Sequence, residues 1–235
     1  MIEISPSGVN LYLTCPFAFR LKYIDKIEPT QENPFLLTGK LVHKGLELYF
    51  KDRIENKDNG MKPSDYLKLA TTTEDFSNVN VLQLNEAIEE ADHFLTIYTP
   101  IAKQLKPISS EEYFELELSD NILLKGIIDL IAQENKNRIM IDFKTTRGAV
   151  KDNYKYTLQL SFYSLTNKAD AYYLHYITPY YVQIKEVIPV QKELLDDIVK
   201  NIEKSIKFGV YPPLGLGNAC FSCPFRKYCK FAEIK

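Results

Sequence analysis

Residues 111–145, EEYFELELSDNILLKGIIDLIAQENKNRIMIDFKT, decide the fold. Over 111–119, Tyr113, Glu115 and Glu117 alternate with Phe114, Leu116 and Leu118, the period of a half-buried strand. Residues 121–133 are rich in Ile and Leu, and Arg138 to Phe143 is a third short apolar run. Three strands in a meander are expected, the last two joined by a turn between Glu134 and Asn137. Those two strands carry charge: Asp129 closes Gly126-Ile127-Ile128-Asp129, and Asp142 and Lys144 lie in Ile141-Asp142-Phe143-Lys144. On adjacent strands the two acids can converge. Alternate residues share a face, so Asp142 and Lys144 point one way while Phe143 enters the core. Charges gathered at the end of an apolar sheet are costly unless they serve chemistry. Hard oxygen ligands suit Mg²⁺ or Mn²⁺, and Lys144 would orient a water or offset charge on a phosphate. An Asp-x-Lys taken alone is common, and a surface ion pair on a half-exposed sheet is the far commoner account of it.

Outward from these strands the pattern is helical. Ser5-Pro6 is an N-cap followed by a proline at the first helical position, and Cys15-Pro16 splits the apolar run that ends near Ile24 into two short helices. A second helix is expected over 37–51 with Thr38 as a cap. Residues 52–80 are polar and turn-rich, with Asn59-Gly60, Pro63 and a short helix near 64–70. A long helix over 81–105 is interrupted at Pro100. Downstream come a helix over 155–166, strands over 170–177 and 181–188, and an amphipathic helix over 191–207 stopped by Gly209. The tail holds Gly215, Gly217 and a group of cysteines. The order predicts an α/β fold, a mixed sheet flanked by helices on both faces.

Composition narrows the function classes. Across 235 residues, 45% hydrophobic content and a formal charge of -2 exclude disorder as the main state and a polybasic nucleic-acid coat. No apolar window is long enough for a membrane helix, and MIEISPSGVN lacks the basic and apolar regions of a secretory signal. Four cysteines are too few for a disulfide scaffold, so a reducing, cytoplasmic setting is expected, with no membrane partner.

Further residues give the acids context. His43, in Gly39-Lys40-Leu41-Val42-His43, sits on an amphipathic helix with Glu47 one turn later, although a lone histidine there is more often structural. Gln159 and Tyr163 are at i and i+4 on the helix after the Asp-x-Lys strand. Taken in order, Gly39…His43, Gly126-x-x-Asp129, Asp142-x-Lys144 and Gln159-x-x-x-Tyr163 resemble the RecB-like branch of the PD-(D/E)XK nuclease superfamily, over nearly the whole chain. Ile128 stands where the family name has proline. The resemblance implies a restriction-endonuclease-like fold and metal-dependent DNA cleavage. His43, Asp129, Asp142 and the Phe143 carbonyl would hold Mg²⁺ or Mn²⁺. Lys144 would be catalytic, and Gln159 and Tyr163 would assist the site.

Cys220-x-x-Cys223-x5-Cys229 groups three thiols in the tail, far from Cys15. Three ligands plus one distant ligand is unusual for zinc and acceptable for an iron–sulfur cluster; spacing alone leaves zinc, free thiols and iron–sulfur open. Joining Cys15 to the tail would close a loop worth roughly 5 kcal/mol of chain entropy. An N-terminal Cys-Pro followed by C-x2-C-x5-C resembles the iron–sulfur nucleases of the same branch. The resemblance implies a 4Fe-4S cluster on Cys15, Cys220, Cys223 and Cys229, an N/C-terminal clasp. With no G-x-x-x-x-G-K-[ST] motor motif, the chain is most similar to the CRISPR-adaptation exonucleases. DNA, CRISPR integration proteins or a recombination helicase are the implied partners. One nuclease domain over 1–235 follows, with a core over 36–50 and 108–190, a helical insertion over 52–107 and the clasp from 1–30 and 208–235.

Lys144, Arg147, Lys151 and Lys155, opposed only by Asp152, are candidates for gripping phosphates, with Tyr154, Tyr156 and Phe162 for stacking on bases; Arg226, Lys227 and Lys230 could extend that track. A solvated loop with core aromatics fits the same residues. A non-catalytic nucleic-acid-binding protein with a structural cluster or zinc, and an endonuclease on structured DNA, are the rival functions.

Overall fold

The computed structural model describes residues 1–29, 34–56, 60–76, 79–151, 153–214, 220–221 and 223–232. Asn59, Asp152, Gly215 and Gly217, named above, lie outside them. The chain begins with a strand too short to leave a periodic signal: β1, Ile2–Ile4. Ser5 then caps α1, Pro6–Thr14, its hydroxyl accepting from the Gly8 amide at 3.1 Å. Pro16 restarts the helix as α2, Pro16–Phe19, followed by a π-helical turn over Arg20–Ile24.

The third helix, α3, spans Pro34–Asn56, longer at both ends than expected. Thr38 is therefore an interior residue and not a cap; it is buried and donates to Glu90 Oε2 at 2.6 Å. A 3₁₀ turn over Pro63–Tyr66 leads into α4, Leu67–Thr73. Helix α5, Val81–Gln104, is capped by Asn80 and passes through Pro100 without a break. Pro100 lies near the end of the helix, where its missing amide removes a single bond. Then follow β2, Lys106–Ser119; β3, Ile122–Glu134; β4, Asn137–Thr145; α6, Tyr154–Ser164; β5, Ala171–Ile177; β6, Val182–Glu186; and α7, Lys192–Phe208. Gly209, at φ 66°, takes the left-handed conformation that ends α7.

The strands form one six-stranded mixed sheet in the order β1-β3-β4-β5-β6, with β2 also paired to β3. Strand β2 runs antiparallel along one whole edge of β3. The other edge of β3 is shared: parallel β1 covers Ile122 to Leu124, and antiparallel β4 covers Leu130 to Glu134. Between them Lys125 to Asp129, the stretch containing the Gly-x-x-Asp motif, has no ladder partner on that edge. Strand β4 leaves β3 at Ile141 yet stays paired, in parallel, with β5 as far as Thr145 and Ile177. The sheet thus opens a gap between β3 and β4 at Asp129 and Asp142.

Helices fill both faces. One core packs α1, α6 and α7 on the sheet through residues such as Val9, Leu160 and Ile202; the other packs α3, α4 and α5 through Leu46, Phe50 and Phe94. A third small cluster, Ala18, Leu21 and Phe225 with Cys15 and Cys223 against it, ties the chain's first helices to its tail. No helix among the described residues is long and apolar enough to cross a membrane.

Candidate active site

At the opening between β3 and β4, Asp129 Oδ2 accepts from the Phe143 amide at 2.8 Å, and so replaces the ladder bond that the diverging strands forgo. The same oxygen lies 3.6 Å from His43 Nδ1, on the helix of the second core. Asp142 is 3% exposed at its side chain. Its Oδ1 accepts from Gln159 Nε2 at 3.0 Å, and its Oδ2 lies 2.6 Å from Lys144 Nζ, off the direction of an aligned hydrogen bond. Burial pushes the Asp142 carboxyl up and Lys144 and His43 pull it down, with the Asp129 charge adding to the rise; the net direction is up. Burial works against the Lys144 charge as well, but Asp142 and Asp129 outweigh it and raise the ammonium's pKa. Lys144 is therefore a half-buried, charged amine paired with Asp142.

Helix α6 supplies the rest of this side. Gln159 Oε1 accepts from Lys144 Nζ at 3.3 Å, and Gln159 Nε2 also donates to Tyr163 Oη at 3.0 Å. Burial, then the Asp142 charge, keeps the Tyr163 hydroxyl protonated well above its ordinary range. Gly126 is required here for space: a Cβ would stand 2.5 Å from the Phe114 ring, which packs edge-on against Tyr163 at 5.4 Å. The expected residues Asp129, Asp142, Lys144, Gln159, Tyr163 and His43 thus come together. Phe143 turns its ring into the second core, stacked with Phe50 and edge-on to Tyr98 and His175. Glu47 stays apart, paired with Lys44 at 2.9 Å and Lys51 at 2.7 Å.

Sequence reasoning misses Glu111. Ligand atoms of His43, Glu111 and Asp129 lie within 4.8 Å of one another, so among the described residues this trio is the compact metal-ligand set. Glu111 has φ 52°, left-handed backbone that a non-glycine residue adopts at a cost of order 1–3 kcal/mol. Burial first, then the Asp129 and Glu47 charges, push its carboxyl up to about 7. Two carboxylates and an imidazole crowded this closely fit a divalent cation, which would relieve their repulsion. The only signal in the sequence was the Glu111-Glu112 pair at the head of the alternating run, and it reads as a strand end.

The four cysteines are free thiols, each half-buried, and all four line one cavity of about 410 Å³ with Phe17, Lys155 and Arg226. Burial raises the Cys223 thiol and its three companions push it further, while a backbone bond from Phe225 opposes. Backbone bonds from the Cys223 amide to Cys220 at 3.3 Å and from the Arg226 amide to Cys223 at 3.1 Å fold the tail around the cavity. Four thiol donors around one space fit the thiolate set of an iron–sulfur cluster.

The expected basic track is smaller than its residue list. Lys144 is committed to Asp142, and Arg147 forms a two-pronged pair with Glu90 on α5. Lys151 and Lys155 are exposed. Phe162 is fully buried, so it belongs to the core and cannot stack on a base; Tyr154 is exposed and Tyr156 is half-buried.

Known proteins give the same reading of the fold. Over 159 residues the chain is 24% identical to a component of the ATP-dependent helicase/deoxyribonuclease of Streptococcus pyogenes serotype M49 (strain NZ131); the match covers 62% of this chain and 14% of that protein's length. The crystal structure of an exonuclease candidate from Eubacterium rectale shares the fold with a TM-score of 0.51 at 13% identity, over 93% of this chain and 87% of its own. The family model for the PD-(D/E)XK nuclease superfamily matches residues 3–230. That span contains nearly all of β1, the gap it helps to open in the sheet, and every side chain gathered there, and the chain belongs to that superfamily.

Proposed function

We propose that this protein is a divalent-metal-dependent DNA exonuclease that trims single-stranded ends, as in CRISPR spacer acquisition or recombination and repair, and that it is built as one nuclease domain with a 4Fe-4S clasp. The observation that carries the nuclease reading is the trio His43, Glu111 and Asp129 within 4.8 Å, beside a buried Asp142–Lys144 pair. These three would hold Mg²⁺ or Mn²⁺ together with Asp142 and the Phe143 carbonyl. When bound, the cation supplies a Lewis acid that offsets charge on the scissile phosphate and acidifies a water.

The chain's own residues do the remainder. Asp142 and Gln159 hold the Lys144 ammonium in one orientation, so its charge is in place before phosphate arrives and costs no reorganisation as charge develops. Gln159 is itself fixed by Tyr163, whose hydroxyl stays protonated and accepts the amide proton. Glu111, its carboxyl pushed up to about 7 chiefly by burial, would hold the cation in its ionised form. A binder without catalysis has no need of Asp129, Asp142 and Lys144 together.

The thiols of Cys15, Cys220, Cys223 and Cys229 would hold the cluster and fasten the N-terminal helices to the tail. The test is incubation of purified protein with end-labelled linear and circular single-stranded DNA plus Mn²⁺. Linear DNA shortened from its ends with the circle intact is expected. Cutting of the circle would replace the exonuclease by an endonuclease, and no cutting of either would remove the DNA nuclease reading.

A further inference from the structure

Beside the proposed catalytic lysine the protein has a second cavity, of about 480 Å³, bounded by Lys144, Thr146, Ala149, Lys151, Tyr156 and Tyr176. Its position is set by the sheet: β4 and β5 end together at Thr145 and Ile177, and the loop over Thr146 to Lys151 turns back over them towards α6. The Thr146 amide donates to the Ile177 carbonyl at 3.0 Å, and the Thr146 hydroxyl accepts from the Gly148 amide at 3.3 Å, so the loop has a defined start. Lys144 Nζ sits 4.8 Å from the centre of the Tyr156 ring, and the Tyr156 and Tyr176 rings are tilted by 58° at 6.2 Å.

Three features select an occupant. The lysine that would meet the scissile phosphate is also a wall of the cavity, so whatever fills it is the nearest neighbour of that phosphate. The accessible aromatic surface is Tyr156, which is half-buried, whereas Tyr176 is 4% exposed and serves as backing. Lys151, exposed at the rim, adds positive charge where a second phosphate would lie. An aromatic face, a nearby ammonium and a volume suited to one small ligand match a nucleotide. A base paired in a duplex cannot enter, because it is stacked between its neighbours and must first be turned out.

We propose that this cavity is a subsite for one unpaired nucleotide adjoining the scissile phosphate, with its base stacked on Tyr156. The proposal rests on the nuclease reading and assigns the selection of single-stranded DNA at the cut to this cavity. Because every base has a π-face, stacking of this kind tolerates any sequence.

The test uses full-length protein and a set of single-stranded oligodeoxynucleotides, each with one abasic site at a different position. Binding is measured with Ca²⁺ and cutting with Mn²⁺. In wild type, an abasic site at one position next to the cut should weaken binding about tenfold, the usual scale for losing one stacked base. Tyr156→Phe should keep that dependence. Tyr156→Leu should bind every oligonucleotide about as weakly as wild type binds the critical abasic one, with no position standing out. Ala149→Trp, at an exposed position on the cavity wall, should do the same by filling the space, with an unchanged melting temperature. Wild type that cuts DNA with equal tolerance of every abasic position would overturn the subsite alone, as would Tyr156→Leu with full abasic sensitivity. Wild type that neither binds nor cuts would overturn it together with the nuclease reading.

Discussion

The acidic centre takes Asp129, Asp142 and Lys144 from neighbouring strands of one sheet, whereas the cysteine cavity takes Cys15 from one end of the chain and three thiols from the other. At the centre, strand register does the positioning: Leu130 pairs with Ile141, the strands then part, and Asp129 fills the vacated bond by accepting from Phe143. One of its acids is paired within the protein, Asp142 with Lys144, while Glu111 and Asp129 face each other beside His43. Around the cysteines the ends meet through the small cluster of Ala18, Leu21 and Phe225, with Phe17 edge-on to Phe231 and the Arg20 guanidinium over the Tyr211 ring. A centre built by register should keep its shape when a functional group is removed and lose only chemistry. A cavity closed by its own ligands should lose shape when one ligand goes.

The largest effects should come from the centre, on activity. Asp129→Ala removes the acid shared by His43 and the Phe143 amide, and cleavage should fall by at least roughly a thousandfold with the metal titration displaced to higher concentration. Lys144→Ala is the informative partner. The carboxylates remain and a repelling cation is gone, so metal affinity by calorimetry should hold or rise, while cleavage of a labelled single strand still falls roughly a hundredfold. DNA binding should change much less. A Lys144→Ala protein that cuts at near wild-type rate would remove this lysine from the site.

The clasp should answer in stability. Cys15→Ala deletes one of four thiols and frees the N-terminal helices from the tail, with a loss of roughly 5 kcal/mol if the cluster closes the long loop. Iron content, visible absorbance and melting temperature should drop together. Full iron content with an unchanged melting temperature would show that Cys15 is not a ligand and that the ends hold without it.

How much of this contrast the sequence carries depends on the kind of signal each residue leaves. The meander of β2, β3 and β4 was legible because its alternation repeats over many residues, and the tie of Asp142 to Lys144 follows from their shared strand face. Strand β1, with three residues, and the true length of α3 were not legible, because one is too short for a period and the other extends past its apolar face. Glu111 was hidden for a different reason. Its place in the site depends on a left-handed backbone angle within a strand, and no composition or spacing rule anticipates that at a glutamate. The pairing of Arg147 with Glu90 was hidden because the two lie 57 residues apart, Glu90 on a helix whose packing only the fold defines.

Behind the centre, His175 offers a smaller effect of another kind. It is 3% exposed, its Nδ1 lies 2.6 Å from the Tyr98 hydroxyl, and burial lowers its pKa from 6.5 to about 4. Above pH 6.5 the imidazole is neutral in folded and unfolded chains alike. As pH falls from 6.5 towards 4 the unfolded chain takes up a proton that the folded one refuses, so stability declines. At about 1.4 kcal/mol per unit of pKa the loss reaches roughly 3 kcal/mol. Denaturant midpoints taken across this window should show that decline in wild type and a shallower one in His175→Gln. Parallel declines would mean that His175 accepts its proton without unfolding.

The smallest effect belongs to the rim, where the loop after β4 meets α5. Arg147 is held by both oxygens of Glu90, and Glu90 also accepts from the buried Thr38 hydroxyl. The arginine is 56% exposed at its side chain, so solvent screens the pair and its worth in stability is under about 1 kcal/mol. Glu90→Gln should therefore shift the melting temperature by only a few degrees. It removes one negative charge beside Arg147, 5 residues after Asp142, on the loop that borders the site. An added cation near the strand path strengthens phosphate contact and steepens its salt dependence. Binding of single-stranded DNA to Glu90→Gln should thus tighten a few-fold at low salt, with the gain fading as salt rises, and the double variant Glu90→Gln with Arg147→Gln should lose it. If Glu90→Gln binds no better than wild type at any salt concentration, Arg147 lies off the DNA path and its pairing with Glu90 serves only to fasten the loop to α5.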